Sequence, residues 1–418
     1  MSDSVTRFRV VDGEPELEPR RPALFDPASL ATMADPFRQY AGLRTTGPVV
    51  PIAAGRSGIF GYDAASFVLR DPQFRTGVLA GLYASALPPG ALHEEMTHRI
   101  NFLDPPDHPR VRRLVAKAFT PRRVGRLQPW VGAAAAELVD SLAVDRDGTV
   151  EVMRGLAHQL PSLVISELLG VPVELRDELT ELSDAITPVF GTSVSPAERA
   201  TAVAAAEVMH AVLGTELDAR RRQPKDDLLS ALVEIEAGDD NGERLSRSEL
   251  LSLVATLYSA GHRTTRDLFG NGLDVLLRAG VAMADATDHK VVDELTRLAT
   301  PTHYVARFPA VALKIDGAAV SANQPLMVFL AAANRDPAVY DEPDEFRPGR
   351  EGPPALSFAL GAHFCLGAAL ARMEVEVMLG AFAARFPDAR ASGRARRWHQ
   401  RGPFRGLDEL VVQVRHSG

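Results

Sequence analysis

Cys365 is the single cysteine of the chain, and it sits where a thiol can be used as a thiolate. The segment Ser357-Phe358-Ala359-Leu360-Gly361-Ala362-His363-Phe364-Cys365-Leu366-Gly367 is punctuated by glycines and runs into Ala368-Ala369-Leu370-Ala371-Arg372, which reads as the start of a long helix. A thiol delivered to a helix N-terminus meets unpaired N–H groups and the positive end of the macrodipole, and both favour the anion. Gly361 and Gly367 allow the backbone to pass close to a flat ligand and to point N–H groups at the sulfur. Phe358 can shield that sulfur from water. Taken alone, a cysteine beside Phe and Leu is also what a small buried apolar side chain looks like. One thiol excludes an intramolecular disulfide and any zinc or iron–sulfur site built from several thiolates, and it suits a reducing compartment.

Other residues share this chemical character. Glu294-Leu295-Thr296-Arg297 places an acid and a base on one helix face, where they can pair. Phe102-Leu103-Asp104-Pro105-Pro106-Asp107-His108 leads to Arg112, and Arg307 follows the Glu-x-x-Arg pair. Ala260-Gly261-His262-Arg263-Thr264-Thr265 lies in the middle of the longest helical pattern.

The spacing Phe358-x-x-Gly361-x-x-x-Cys365-x-Gly367 resembles the haem-binding signature of the cytochrome P-450 family, soluble bacterial type. Ala359 departs from it, standing where many members have a second glycine. The resemblance extends over nearly the whole chain from about Pro22. It implies haem b (iron protoporphyrin IX) with Cys365 as the axial ligand of the iron, a thiolate that pushes electron density onto the metal. It assigns the haem propionates to His108, Arg112, Arg307 and His363. It makes Glu294, Arg297 and Arg350, the last in Phe346-Arg347-Pro348-Gly349-Arg350, structural residues of the pocket wall. On the distal side it implies that Gly261 opens the helix locally and that Thr264 guides proton delivery. The acid usual before that threonine is replaced by Arg263, which cannot release a proton. Three consequences follow for Arg263: it faces solvent and orders water, it anchors an anionic substrate, or it accompanies a reaction less dependent on proton-driven O–O cleavage. The pocket is expected to be lined by Met96, Leu257, Tyr258, Ala260, His303, Tyr304 and Phe404, together with the segments 77–100 and 187–194.

The expected activity is therefore that of a monooxygenase acting on a small, largely apolar molecule, such as a specialised-metabolite intermediate. The alternatives are peroxide-driven or coupling chemistry with Arg263 holding an acid, and, from another class, a non-catalytic helper of a partner enzyme. The sequence contains no flavin or nicotinamide fingerprint, so electrons are expected from a ferredoxin and a ferredoxin reductase. Arg110, Arg113, Lys117, Arg122 and Arg123 form a basic run on which an acidic ferredoxin could dock.

The elements that must position these groups are mostly helices. Helical periodicity covers Pro129–Leu142, Leu156–Leu169, Pro196–Arg222, Asp226–Glu236, Lys290–Leu298 and Leu366–Phe386. The longest helix is expected over Ser246–Arg278, begun by a capping box of Ser246 and Glu249. Short strands are expected near Val49–Ile52, Val311–Ile315, Pro325–Leu330 and Gly406–Val414, and a long loop over Gly77–Ile100. The fold class is mainly α (α+β), with residues 1–21 as a flexible arm and 22–418 as one domain. A net charge of -8 argues against a general nucleic-acid binder. No stretch has the length of a membrane span or the pattern of a signal peptide, so a cytoplasmic monomer is expected.

Overall fold

A computed structural model describes residues 25–27, 29, 35–53, 55–238 and 244–414. The expected arm, 1–21, lies outside the described residues. The helices are α1 (Phe37–Arg44), α2 (Tyr62–Arg70), α3 (Val78–Ala86), α4 (Ala91–His98), α5 (Asp107–Ala118), α6 (Pro121–Ser141), α7 (Gln159–Leu169), α8 (Arg176–Ile186), α9 (Pro196–Arg222), α10 (Leu228–Ala237), α11 (Arg247–Ala279), α12 (His289–Leu298), α13 (Leu330–Ala333) and α14 (Ala368–Arg385). The strands are β1 (Val50–Ile52), β2 (Arg56–Ile59), β3 (Phe74–Arg75), β4 (Thr149–Glu151), β5 (Val305–Pro309), β6 (Leu313–Ile315), β7 (Ala318–Val320), β8 (Leu326–Val328), β9 (Arg390–Ala391), β10 (Arg397–Arg401), β11 (Phe404–Glu409) and β12 (Val411–Gln413).

Helix α11 forms the axis of the molecule. Ser246 and Glu249 cap it reciprocally, with Ser246 N–H donating to Glu249 Oε2 at 2.7 Å and Glu249 N–H to Ser246 Oγ at 3.2 Å. Gly280 ends it in the left-handed conformation, where a residue without Cβ fits without strain. Residues on several faces are buried because α4, α7, α8, α9, α12 and α14 pack around it. Together these helices enclose the main apolar core.

The largest sheet lies apart from that core, whereas Val150 of β4, Leu407 of β11 and Val412 of β12 are part of it. The largest sheet has the order β1-β2-β8-β5-β3, with β2 and β8 parallel and the other pairs antiparallel. An aromatic cluster of Phe25, Tyr40, Phe60 and Phe329 covers it, and Phe60 stacks on Phe329 at 4.4 Å. The β10–β11 hairpin presents the turn that precedes Phe404. Among the described residues, no helix is long and apolar enough to cross a membrane.

Residues 77–100 correct one expectation, because they form α3 and α4 rather than a loop. Helix α3 buries none of its residues, so it carries no apolar stripe of helical period for pattern reading to find. Helix α6 begins at Pro121 behind the capping Thr120, and Pro129 lies inside it.

Candidate functional site

The Cys365 loop is fixed from both ends. Cys365 N–H donates to Phe358 O at 2.9 Å and Phe364 N–H to Gly361 O at 3.1 Å, closing two turns before α14 starts at Ala368. Gly361 has φ +71, and a Cβ there would stand 2.5 Å from the carbonyl oxygen of Leu69 at the end of α2. Its role is therefore close approach of chain to chain. Ala359 adopts φ 57, ψ −165, a conformation that glycine tolerates and L-residues rarely enter. The Gly367 N–H points at the Cys365 sulfur. Burial pushes the thiol up, while the Gly367 N–H, Arg112 and Arg372 act to lower it. The Arg372 guanidinium lies 4.5 Å over the Phe358 ring, which stiffens the shield beside the sulfur. Cys365 is solvent-accessible, yet protein surrounds it closely enough for desolvation to dominate. Both statements hold for a side chain ringed by protein and open on one side.

Four cationic or imidazole groups gather beside the cysteine loop. The His108 and His363 rings are 4.0 Å apart, and His108 Nε2 is buried without a hydrogen-bond partner. His363 Nε2 lies 3.4 Å from Thr76 Oγ1. Arg307 is 5% exposed, and the bond seen for it is Nη1–H to Ala306 O at 2.8 Å. Burial pulls Arg307 down to about 10, with Asp104 acting against it. His363 is pushed down to about 3 by burial and then by Arg307, His108 and Arg112. Arg112 is half-buried on α5 and senses Cys365 as its counter-charge. The acid that touches this group, Asp104, is occupied with the Thr76 N–H and the Gly77 N–H, both at 2.9 Å. Two arginines beside two imidazoles that burial keeps neutral, one with an orphaned ring nitrogen, fit a bound dianion such as the two propionates of haem.

The wall behind is held by Glu294 and Arg297 on α12, joined by two hydrogen bonds of 2.8 and 2.7 Å and both buried. Glu294 Oε1 also accepts from the Arg347 N–H at 3.0 Å and from Arg350 Nε at 3.3 Å. Arg297 Nη1 donates to Asn334 O at 2.7 Å and to Pro343 O at 2.6 Å. The pair thus ties α12 to the segment before the cysteine loop.

In mid-helix α11 exposes Ala260, and Leu257, Gly261 and Thr264 are partly exposed beside it. The Thr264 hydroxyl donates to Ala260 O at 2.9 Å. Several expectations change here. The helix is continuous through Gly261 and does not open. A Cβ at Gly261 would stand 2.8 Å from Ile165, so the glycine admits α7. Arg263 does not reach solvent: it is 2% exposed, ion-paired with Asp184 of α8, and donates to Ser183 O at 3.3 Å. Burial lowers it to about 10, against the opposing pull of Asp184. Tyr258 is fully buried and turned toward α8, donating to Arg176 O at 2.8 Å with Thr180 Oγ1 at 3.1 Å. His303 faces Tyr40, its Nδ1 2.9 Å from the hydroxyl. Met96 is fully buried, and Tyr304 packs on Phe329 at 5.3 Å.

The remaining wall is aromatic. Phe404 bridges to Thr302 and meets Phe190 edge-on at 6.4 Å, Phe190 lies 6.2 Å from Phe102, and Phe102 stacks on Tyr83 at 5.5 Å. Phe190 and Tyr83 fall within the expected segments, whereas the positioning acids Asp104 and Asp184 were not singled out. Asp104 was visible only as part of Asp-Pro-Pro. Asp184 has no local signal, because its partner is 79 residues away.

A model of the cytochrome P450 family matches residues 289–388, which span the Glu294–Arg297 pair and the cysteine loop. The chain is 35% identical over 400 residues to cytochrome P450 monooxygenase PikC of Streptomyces venezuelae, covering 92% of each chain. It is 35% identical to 6-deoxyerythronolide B hydroxylase of Saccharopolyspora erythraea, over 91% of this chain and 96% of the relative. Among solved structures, CalO2 superposes with a TM-score of 0.84 at 28% identity, covering 92% of this chain and 97% of the other.

Proposed function

This chain belongs to the cytochrome P450 family, as an oxidoreductase of the monooxygenase kind, and we propose that it oxidises a small, largely apolar specialised metabolite with electrons from separate redox proteins. The observation that carries this reading is the cysteine loop: an accessible thiol with a backbone N–H on its sulfur, beside two arginines and two imidazoles of which His108 keeps a buried nitrogen without a partner among the described residues.

The residues fit haem, and each has a place around it. Cys365 would hold the iron as thiolate, with the Gly367 N–H stabilising the charge and Phe358 keeping water away. His108, Arg112, Arg307 and His363 would neutralise the propionates. Haem, when bound, supplies the redox chemistry that activates dioxygen. The reaction balances as RH + O2 + 2 electrons + 2 protons giving ROH + H2O, so the protein must also manage protons. Thr264, whose hydroxyl lies on the open step of α11, would hand on a proton at its Oγ1.

Leu257, Ala260, Phe190, Tyr83 and Phe404 make the wall beside that step apolar and aromatic, which suits a substrate with few polar groups. The names of the two relatives place them among hydroxylases and monooxygenases, in keeping with a specialised-metabolite substrate here. An acid anchored by Arg263 is not favoured, since Asp184 already neutralises that guanidinium. We assign electron delivery to a ferredoxin docking on the basic run of Arg110, Arg113, Lys117, Arg122 and Arg123, of which Arg110 is also ion-paired with Glu249, and the chain to the cytoplasm as a monomer. The test is dioxygen-dependent turnover in the presence of a ferredoxin, its reductase and candidate apolar ligands chosen by spectral shift. Turnover on hydrogen peroxide alone, with none on dioxygen, would overturn the assignment.

A further inference from the structure

We infer that Ser183, Asp184, His262 and Arg263 enclose a buried water site on the flank of α11, and that this site is the inlet through which protons reach Thr264. This rests on the monooxygenase reading, because that reaction draws two protons per dioxygen from solvent.

Three buried polar atoms on or beside Asp184's neighbours lack hydrogen-bond partners among the described residues: His262 Nε2, Arg263 Nη1 and Ser183 Oγ. Their residues are only 2%, 2% and 1% exposed. His262 Nδ1 lies 3.0 Å from Tyr258 O. A carbonyl oxygen only accepts, so Nδ1 carries the hydrogen and the neutral ring presents a bare lone pair at Nε2. That lone pair stands 3.9 Å from Asp184 Oδ1, too far for a direct bond and within reach of a single water. Burial alone would raise the Asp184 carboxyl, but the positive charges of Arg263 and Arg266 act against it and hold it well below the usual carboxylate range. Two acceptors therefore face each other across the gap. One water making four hydrogen bonds would partner all three atoms: it accepts from Arg263 Nη1–H and Ser183 Oγ–H and donates to His262 Nε2 and Asp184.

The site has an outer and an inner end. Outward, the Asp184 side chain is 28% exposed, and Arg401, 35% exposed, lies 3.5 Å from its Oδ2. Inward, at about 100° per residue, Arg263 leaves α11 roughly 60° from Ala260 and 100° from Thr264. Ala260 is the exposed residue whose carbonyl holds the Thr264 hydroxyl. A guanidinium cannot pass on a proton, so Arg263 and Asp184 are positioning residues and the water is the carrier. His158, Arg266, Asp267 and Arg401 are the other charged or titratable groups whose fields reach this site.

The test uses the ferric holoenzyme and Asp184→Asn, which keeps the shape and removes the charge. A crystal structure of the wild type should show an ordered water in hydrogen-bond reach of His262 Nε2 and Arg263 Nη1. A second readout needs no substrate. With ferredoxin, reductase and dioxygen alone, electrons leave either as hydrogen peroxide (two electrons and two protons) or as water (four and four). Asp184→Asn should cut the water-forming share by about tenfold, in line with the loss of a proton-transfer route, and Asp184→Glu should restore most of it. Ser183→Ala leaves the ion pair in place and should shift the share in the same direction, which keeps the test open if Asp184→Asn does not fold. An empty site in the wild type, or a share unchanged in these variants, overturns the proposal. A wild type without dioxygen-dependent product would instead sink the monooxygenase reading, and the crystallographic result stands apart from it.

Discussion

Ala359→Gly should stabilise the protein, although it removes a buried methyl group. Ala359 is held at φ 57, ψ −165, where an L-residue carries about 1–3 kcal/mol of strain. The glycine recovers that strain. Against it stand about 0.4–1 kcal/mol of extra freedom in the unfolded chain and up to about 0.8 kcal/mol for a methyl that is 9% exposed. The balance favours glycine by roughly 1 kcal/mol. Ala359→Val sharpens the test, because a β-branched side chain in this region is a severe outlier and should cost about 2 kcal/mol or more. The assay is the denaturant midpoint of the holoprotein followed by the visible haem band, which reports the loop that carries Cys365. A glycine variant less stable than wild type, or a valine variant equal to it, would refute the reasoning.

Removing Glu294 leaves Arg297 buried without its counter-charge, so Glu294→Ala should lose about 3–5 kcal/mol and haem retention, read by thermal unfolding and haem content. Glu374 is buried without a charged partner, and burial pushes its carboxyl well above the ordinary value. The folded state therefore keeps a proton that the unfolded state releases above about pH 4.3, so this group lowers stability as pH rises. Midpoints at pH 5 and pH 8 should show Glu374→Gln gaining on wild type at the higher pH, and an equal difference at both would contradict this. Arg263→Ala should cost about 2–3 kcal/mol, less than a fully buried pair because Asp184 stays partly hydrated. The same variant should bind a fatty acid and its uncharged amide with the wild-type ratio in spectral titration, and a selective loss of the acid would restore Arg263 as an anchor.

The parts legible in the sequence were those whose partners lie nearby along the chain. Ser246 with Glu249, Glu294 with Arg297, and the Cys365 turn are set by spacings of a few residues, and local geometry determines each. What escaped depends on distant neighbours. Helical register places Tyr258 and Arg263 on α11 but does not say which face α8 will cover, and α8 claimed both. Gly261 looked like a place for the helix to open, yet Ile165 fills the space beside it. Helices α3 and α4 are separated by Pro88-Pro89-Gly90, and Gly90 at φ +152 lies where a Cβ would come 2.6 Å from Glu207. That contact between α4 and α9 is invisible in a single sequence, and turn residues made the whole segment resemble a loop.

The central claim is that Cys365 holds haem iron as a thiolate, and the reduced carbon-monoxide difference spectrum tests it most directly. The wild type should show the Soret band at the position characteristic of thiolate ligation. Cys365→Ala should lose that band, whereas Arg372→Ala, which removes the cover over Phe358 and one nearby positive charge but no ligand, should keep it. A wild-type band at the position of histidine-ligated haem, or an unchanged band in Cys365→Ala, would contradict the account.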